Sequence, residues 1–107
     1  MIKVFAMLRR RKGVSREEFH RWWIEEHVPY ARKLPGLRKY RVCLVTGSTS
    51  HEGREPWDGI AELWFDDREA MQRAMATPEA KALHADGALF IGRIKTFTVD
   101  EKVIIPR

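Results

Sequence analysis

The sequence is poor in cysteine: Cys43 is the single one among 107 residues. One thiol excludes an internal disulfide and cannot build a cysteine metal cluster alone. A reducing, cytoplasmic location is expected. Long apolar runs are also missing, and none approaches the roughly 20 residues that span a bilayer. No signal-peptide pattern opens the chain. Glycine-rich phosphate loops are absent too, since Gly47 and Gly53 lack a following Lys-Ser/Thr or a strand-turn-helix context. There is no serine nucleophile elbow. His20, His51 and His84 show no ligand spacing, and HRWWIEEH is not the compact i, i+4 zinc pattern, so no metal site is expected. Chemistry without a cofactor, or plain binding, follows by elimination.

Hydrophobic residues make up 44% of the chain and aromatics 10%. That is enough for a real core, and the length suits one domain spanning residues 1–107. The formal charge is +5, with the excess in Arg9, Arg10, Arg11 and Lys12 and in Arg32, Lys33, Arg38, Lys39 and Arg41. Such runs serve as a solvated rim, attract a small anionic substrate, or bind nucleic acid. The last use is disfavoured, because no nucleic-acid motif is present and the tryptophans sit on an amphipathic helix.

Ile2 to Arg9 alternates as a strand. Ser15 and Glu18 form a capping box that opens a helix. At about 100° per residue, Phe19, Trp23, Tyr30 and Leu34 share one stripe, with His27 at its edge. Pro29 is expected to kink or restart this helix, and Pro35-Gly36 to stop it. Leu37 to Thr46 reads as a second strand, with Tyr40 and Val42 on one face and Lys39, Arg41 and Cys43 on the other. Gly47 to Asp58 is a long polar loop. Gly59 to Phe65 is a third strand, with Leu63 and Glu62 on opposite faces. Asp66 and Asp67 cap a second helix. Thr77-Pro78 starts a short helix expected to end near Asp86-Gly87, and Ile94 to Ile104 is the expected fourth strand.

This β-α-β-β-α-β order is the split βαβ pattern of an α+β, ferredoxin-like sandwich. Nothing in the chain covers the second sheet face, although its residues are bulky. A homodimer packed through that face is therefore expected.

Several side chains qualify for a site. His27 is a proton carrier at the margin of an aromatic stripe, or a structural histidine before Pro29. Tyr40 is a hydrogen-bond donor to a substrate oxygen, or a core tyrosine with its hydroxyl at the rim. Trp23 is the aromatic best placed for a pocket wall. Arg9 could hold a carboxylate bidentately, or be a solvated rim residue. Glu62, charged within an apolar strand, is read as pairing with a strand arginine at the dimer face.

The segments SREEFHRWWIEEHVPYARKLPGLRKY, AELWFDD, TPEAKAL and ALFIG resemble the EthD family of dimeric α+β-barrel proteins over nearly the whole chain. Within it they are similar to the methylmuconolactone methylisomerase-like members. The resemblance implies a ferredoxin-like monomer whose sheet pairs with that of a second subunit. It also implies a proton-transfer role for His27 and a pocket position for Tyr40. Those relatives use a cysteine in the third strand where this chain has Leu63, which neither moves protons nor attacks as a nucleophile. The expectation is a cofactor-independent isomerase or lyase acting on a small anionic lactone or aromatic-derived ring, with Trp23, Tyr40, Leu63 and Arg9 contacting the substrate. The alternative is a non-catalytic small-molecule-binding protein of a degradation pathway.

Overall fold

The computed structural model describes residues 1–47 and 57–106. His51 and most of the polar loop expected at 47–58 lie outside the described residues. Strand β1 (Ile2–Arg10) leads to helix α1 (Arg16–Trp22), a π-helical turn (Trp23–His27) and helix α2 (Val28–Ala31). Strands β2 (Lys39–Leu44) and β3 (Gly59–Phe65) follow, then helices α3 (Arg68–Met75) and α4 (Pro78–Phe90) and strand β4 (Ile91–Val99). The four strands form an antiparallel sheet in the order β2-β3-β1-β4. This is the ferredoxin-like α+β topology.

Local chemistry fixes the helix starts. The Ser15, Asp67 and Thr77 side chains accept from the amides of Glu18, Ala70 and Ala80, each satisfying an orphan donor of the first turn. Near Pro29 the chain departs from a simple kink. Proline has no N–H and its ring crowds the carbonyl four residues back. The helix widens just before it, and Val28 N–H bonds to the Trp23 carbonyl, an i to i−5 bond. The extra residue rotates His27 inward, where it is buried.

The last two elements depart from the sequence-based boundaries. Helix α4 does not end at Asp86-Gly87 but runs on to Phe90, and β4 begins at Ile91 rather than Ile94 and ends at Val99 rather than Ile104. Gly87 is a packing position and not a stop. A Cβ there would lie 3.4 Å from His27 Cε1 and 3.3 Å from Ile91 Cδ1, so glycine lets α4 approach the π turn. Leu83, Asp86, Gly87 and Phe90 are all buried, at the i, i+3, i+4, i+7 spacing of one helical face. Strand β4 ends where its partner does: Lys3 pairs with Val99 at the start of β1.

The helices cover one sheet face. Their core partners are Val4, Ala6 and Leu8 on β1 and Ala61, Leu63 and Phe65 on β3. The other face carries Phe5, Met7, Ile60, Trp64 and Phe97, around a buried ion pair between Lys3 and Glu62. Glu62 pairs chiefly with Lys3, and the strand arginine expected beside it, Arg41, is a second ion-pair partner at 3.9 Å. Glu101, beyond β4, reaches over this face to Lys3 (3.1 Å) and to the Trp64 indole (3.3 Å). Burial works against the Lys3 charge, but the two glutamates outweigh it and raise its pKa.

Candidate functional site

Small residues create the cavity. The helix-side row across the sheet reads Val42, Ala61, Ala6 and Thr96, in register. Two alanines at the middle of a sheet leave space that larger side chains would fill. The result is a cavity of 570 Å³ between the sheet and the helices, with Val4, Ala6, Ala61 and Leu63 in its floor. Trp23, His27 and Tyr40 form one wall, and Leu83, His84 and Gly87 of α4 lie opposite the sheet.

The structure brings His27, Tyr40, Trp23 and Leu63 to this one cavity. His27 Nδ1 stands 2.7 Å from Asp86 Oδ2. A carboxylate only accepts here, so Nδ1 carries the proton and Nε2 is left with its lone pair. The Trp22 indole N–H donates to the other Asp86 oxygen at 3.4 Å, and Phe90 packs edge-on against the His27 ring at 5.1 Å. Burial lowers the His27 pKa. Asp86 opposes this through its hydrogen bond and charge, and His84 adds to the lowering. The ring is thus neutral near pH 7, oriented, and basic at Nε2.

Trp23 and Tyr40 form the second unit. The Trp23 indole N–H donates to the Tyr40 hydroxyl at 3.0 Å, which leaves the phenol's own proton to donate elsewhere. Burial raises the Tyr40 pKa, with the Trp23 bond acting against it, so the phenol stays protonated. A Cβ at Gly59 would overlap the Trp23 ring; only glycine admits the indole at that place.

Arg9 does not join them. It is exposed and lines a separate basic cleft with Arg10, Arg11, Lys12 and Arg93. Strand parity is the reason: Val4, Ala6 and Leu8 face the cavity, and Arg9 shares the opposite parity. The cleft is organised around Asp58, whose buried carboxylate accepts from the Arg10 amide (2.8 Å), Arg10 Nη1 (2.6 Å) and Arg16 Nε (2.9 Å). Burial disfavours its charge, but these donors outweigh that and lower its pKa. Cys43 is likewise absent from the cavity. Its thiol contacts Glu62 on the open sheet face, and burial together with that carboxylate raises its pKa. Among the described residues, no group of His, Cys, Asp and Glu could hold a metal ion, and no helix is long and apolar enough to cross a membrane.

Asp86 and His84 escaped the sequence reading. Asp86 carries a signal, an acidic residue inside the apolar stripe Leu83, Gly87 and Phe90, which a helix end at Gly87 conceals.

The EthD domain model matches residues 11–94. The chain belongs to the EthD domain family. This EthD protein is 32% identical to 4-carboxymethyl-4-methylbutenolide mutase of Pseudomonas reinekei over 109 residues, covering 96% of this chain and 100% of that one. An EthD family protein of Bacillus halodurans shares the fold with a TM-score of 0.79 and 30% identity, covering 95% and 99% of the two chains. A dimeric ferredoxin-like protein of unknown function from Thermobifida fusca aligns with a TM-score of 0.73 at 16% identity, over 92% and 88% of the two chains. That last likeness speaks for the fold alone.

Proposed function

We propose that this EthD protein is a single-domain, cofactor-independent isomerase-type enzyme of catabolism whose substrate is a small lactone ring. The observation that carries the reading is the pairing of a neutral, Asp86-oriented His27 with the Tyr40 hydroxyl in one cavity. His27 Nε2 takes a proton from the side-chain methylene next to the ring, the C–H electron pair forms a carbon–carbon double bond as the ring C–O bond breaks, and the proton returns to another carbon when the opened diacid recloses through its other carboxylate. Tyr40 donates to the ring ester as negative charge develops on its departing oxygen. The apolar floor, Leu63 included, holds the ring and excludes water. Leucine at that position supplies no nucleophile, so the chemistry is proton transfer without a covalent intermediate. The similarity to the butenolide mutase supports the substrate class.

The working form is a homodimer through the open sheet face, where Phe97 is 41% exposed although it lies mid-strand. Sedimentation at micromolar concentration tests this. The test of function is turnover of 4-carboxymethyl-4-methylbutenolide, with His27→Gln as the comparison. Loss of turnover with retained binding supports His27 as the base. Binding without turnover by the unaltered protein supports a non-catalytic binding role instead.

A further inference from the structure

We propose that Trp22 is a positioning residue of the proton-transfer site: its indole N–H holds the Asp86 carboxylate in the plane that aims His27 Nε2 into the cavity. This deepens the reading above and rests on it. The buried Asp86 carboxylate is divided between two partners. Oδ2 stands 2.7 Å from His27 Nδ1, and Oδ1 accepts from the Trp22 indole at 3.4 Å. Among the described residues, no other side chain bonds it. A carboxylate held at one oxygen turns easily about its last bond, because that torsion is broad. Held at both oxygens it is fixed, and the ring it grips is fixed with it. Trp22 is itself clamped. Its indole stacks on the Phe90 ring at 5.7 Å and 14°, and Phe90, fully buried, packs edge-on against His27.

The π turn is what brings the two donors to one acid. Trp22 and His27 are five residues apart, a spacing that points them about 140° from each other on an α-helix. The turn between them, Trp23–His27, closes with an i to i−5 bond. Its wider coil carries His27 back toward the Trp22 side, so that both reach Asp86 on α4. The indole N–H only donates. It draws on the Asp86 charge most strongly while His27 is neutral, and less once an imidazolium shares that carboxylate. The bond therefore favours the neutral, basic ring. Facing His27 are Asp86 and His84 on α4 and Tyr40 on β2; Glu25 and Glu26 of its own turn are exposed. Of these groups, only Asp86 bonds with Trp22.

The test is an NMR titration of the full chain, which needs no substrate. In the unaltered protein the Trp22 indole N–H resonance is expected to move with pH at the midpoint of the His27 ring signals. In His27→Gln it is expected to stay flat, which excludes His84 as the source. Trp22→Phe keeps the stack on Phe90 and removes the donor. His27 should then bind its proton about threefold more tightly, a fraction of the net worth of one hydrogen bond and opposite in sign to the effect of Asp86→Asn. With 4-carboxymethyl-4-methylbutenolide, kcat of Trp22→Phe should fall about tenfold and KM stay within about twofold. A Trp22 resonance blind to His27 in the unaltered protein would overturn the assignment, whether or not the variant folds. So would a lower kcat with the His27 midpoint unmoved, which marks a general loosening of the fold. If the titrations come out as expected and the unaltered protein converts no lactone, the positioning stands and the catalytic reading falls.

Discussion

The Asp86 carboxylate lies 2.7 Å from His27 Nδ1, and this contact decides which nitrogen of the ring is free to work. The two residues are 59 apart in sequence and meet because the π turn before Pro29 and the glycine at position 87 let two helices close on each other. Asp86 raises the His27 pKa against the larger effect of burial. Asp86→Asn is therefore expected to move the acid limb of kcat/KM to still lower pH, and to lower the plateau by an order of magnitude or more through loss of orientation. A pH-rate profile checks both. An unchanged limb would show that Asp86 is not coupled to the base.

Tyr40→Phe removes the proposed donor without changing the shape of the cavity wall. The expected loss is about 10²-fold in kcat, the usual scale for one donor to a developing oxyanion, with the acid limb of His27 unmoved. The Trp23 N–H would also lose its acceptor, at a cost of about 1–3 kcal/mol in stability. Steady-state kinetics and denaturant unfolding separate the two effects.

Gly59→Ala is expected to destabilise the fold, because its Cβ would overlap the buried Trp23 ring. Overpacking of this kind costs about 1–3 kcal/mol. Gly47→Ala, with no heavy atom of the described residues within 4 Å of the added carbon, is the control and should be close to neutral. Urea midpoints measure both.

Stability should fall in two steps on acidification. His27 has a folded pKa below its ordinary 6.5, so the unfolded chain binds more protons just below pH 6.5. Stability drops as pH falls through that value and levels off below the folded pKa. Asp58 has a folded pKa below 3.8. Its contribution is complete above 3.8 and is lost as pH falls below that through the folded value. His27→Gln should erase the first step and keep the second, as read from unfolding free energy against pH.

Much of this was legible in the sequence because it was local. The Ser15 cap, the alternation of β3 and the Phe19–Trp23 stripe need only near neighbours to be read, and they placed Trp23 and His27 correctly on the first helical segment. The extent of α4 was not legible. Gly87 carries the same local signature as a helix stop, and its true role depends on the His27 ring arriving from another element. Missing that turn hid Asp86 and shifted β4 by three residues at its start. Arg9 failed for a different reason: charge marks a residue as able to bind an anion, but strand parity decides which face it serves.

The most direct measurement is turnover of 4-carboxymethyl-4-methylbutenolide in deuterated water by the unaltered protein and by His27→Gln. The unaltered protein is expected to convert the lactone with deuterium entering the product on carbon, and His27→Gln to bind it but convert it about 10²- to 10⁴-fold more slowly. Conversion by His27→Gln at the original rate would contradict a proton-transfer role for His27.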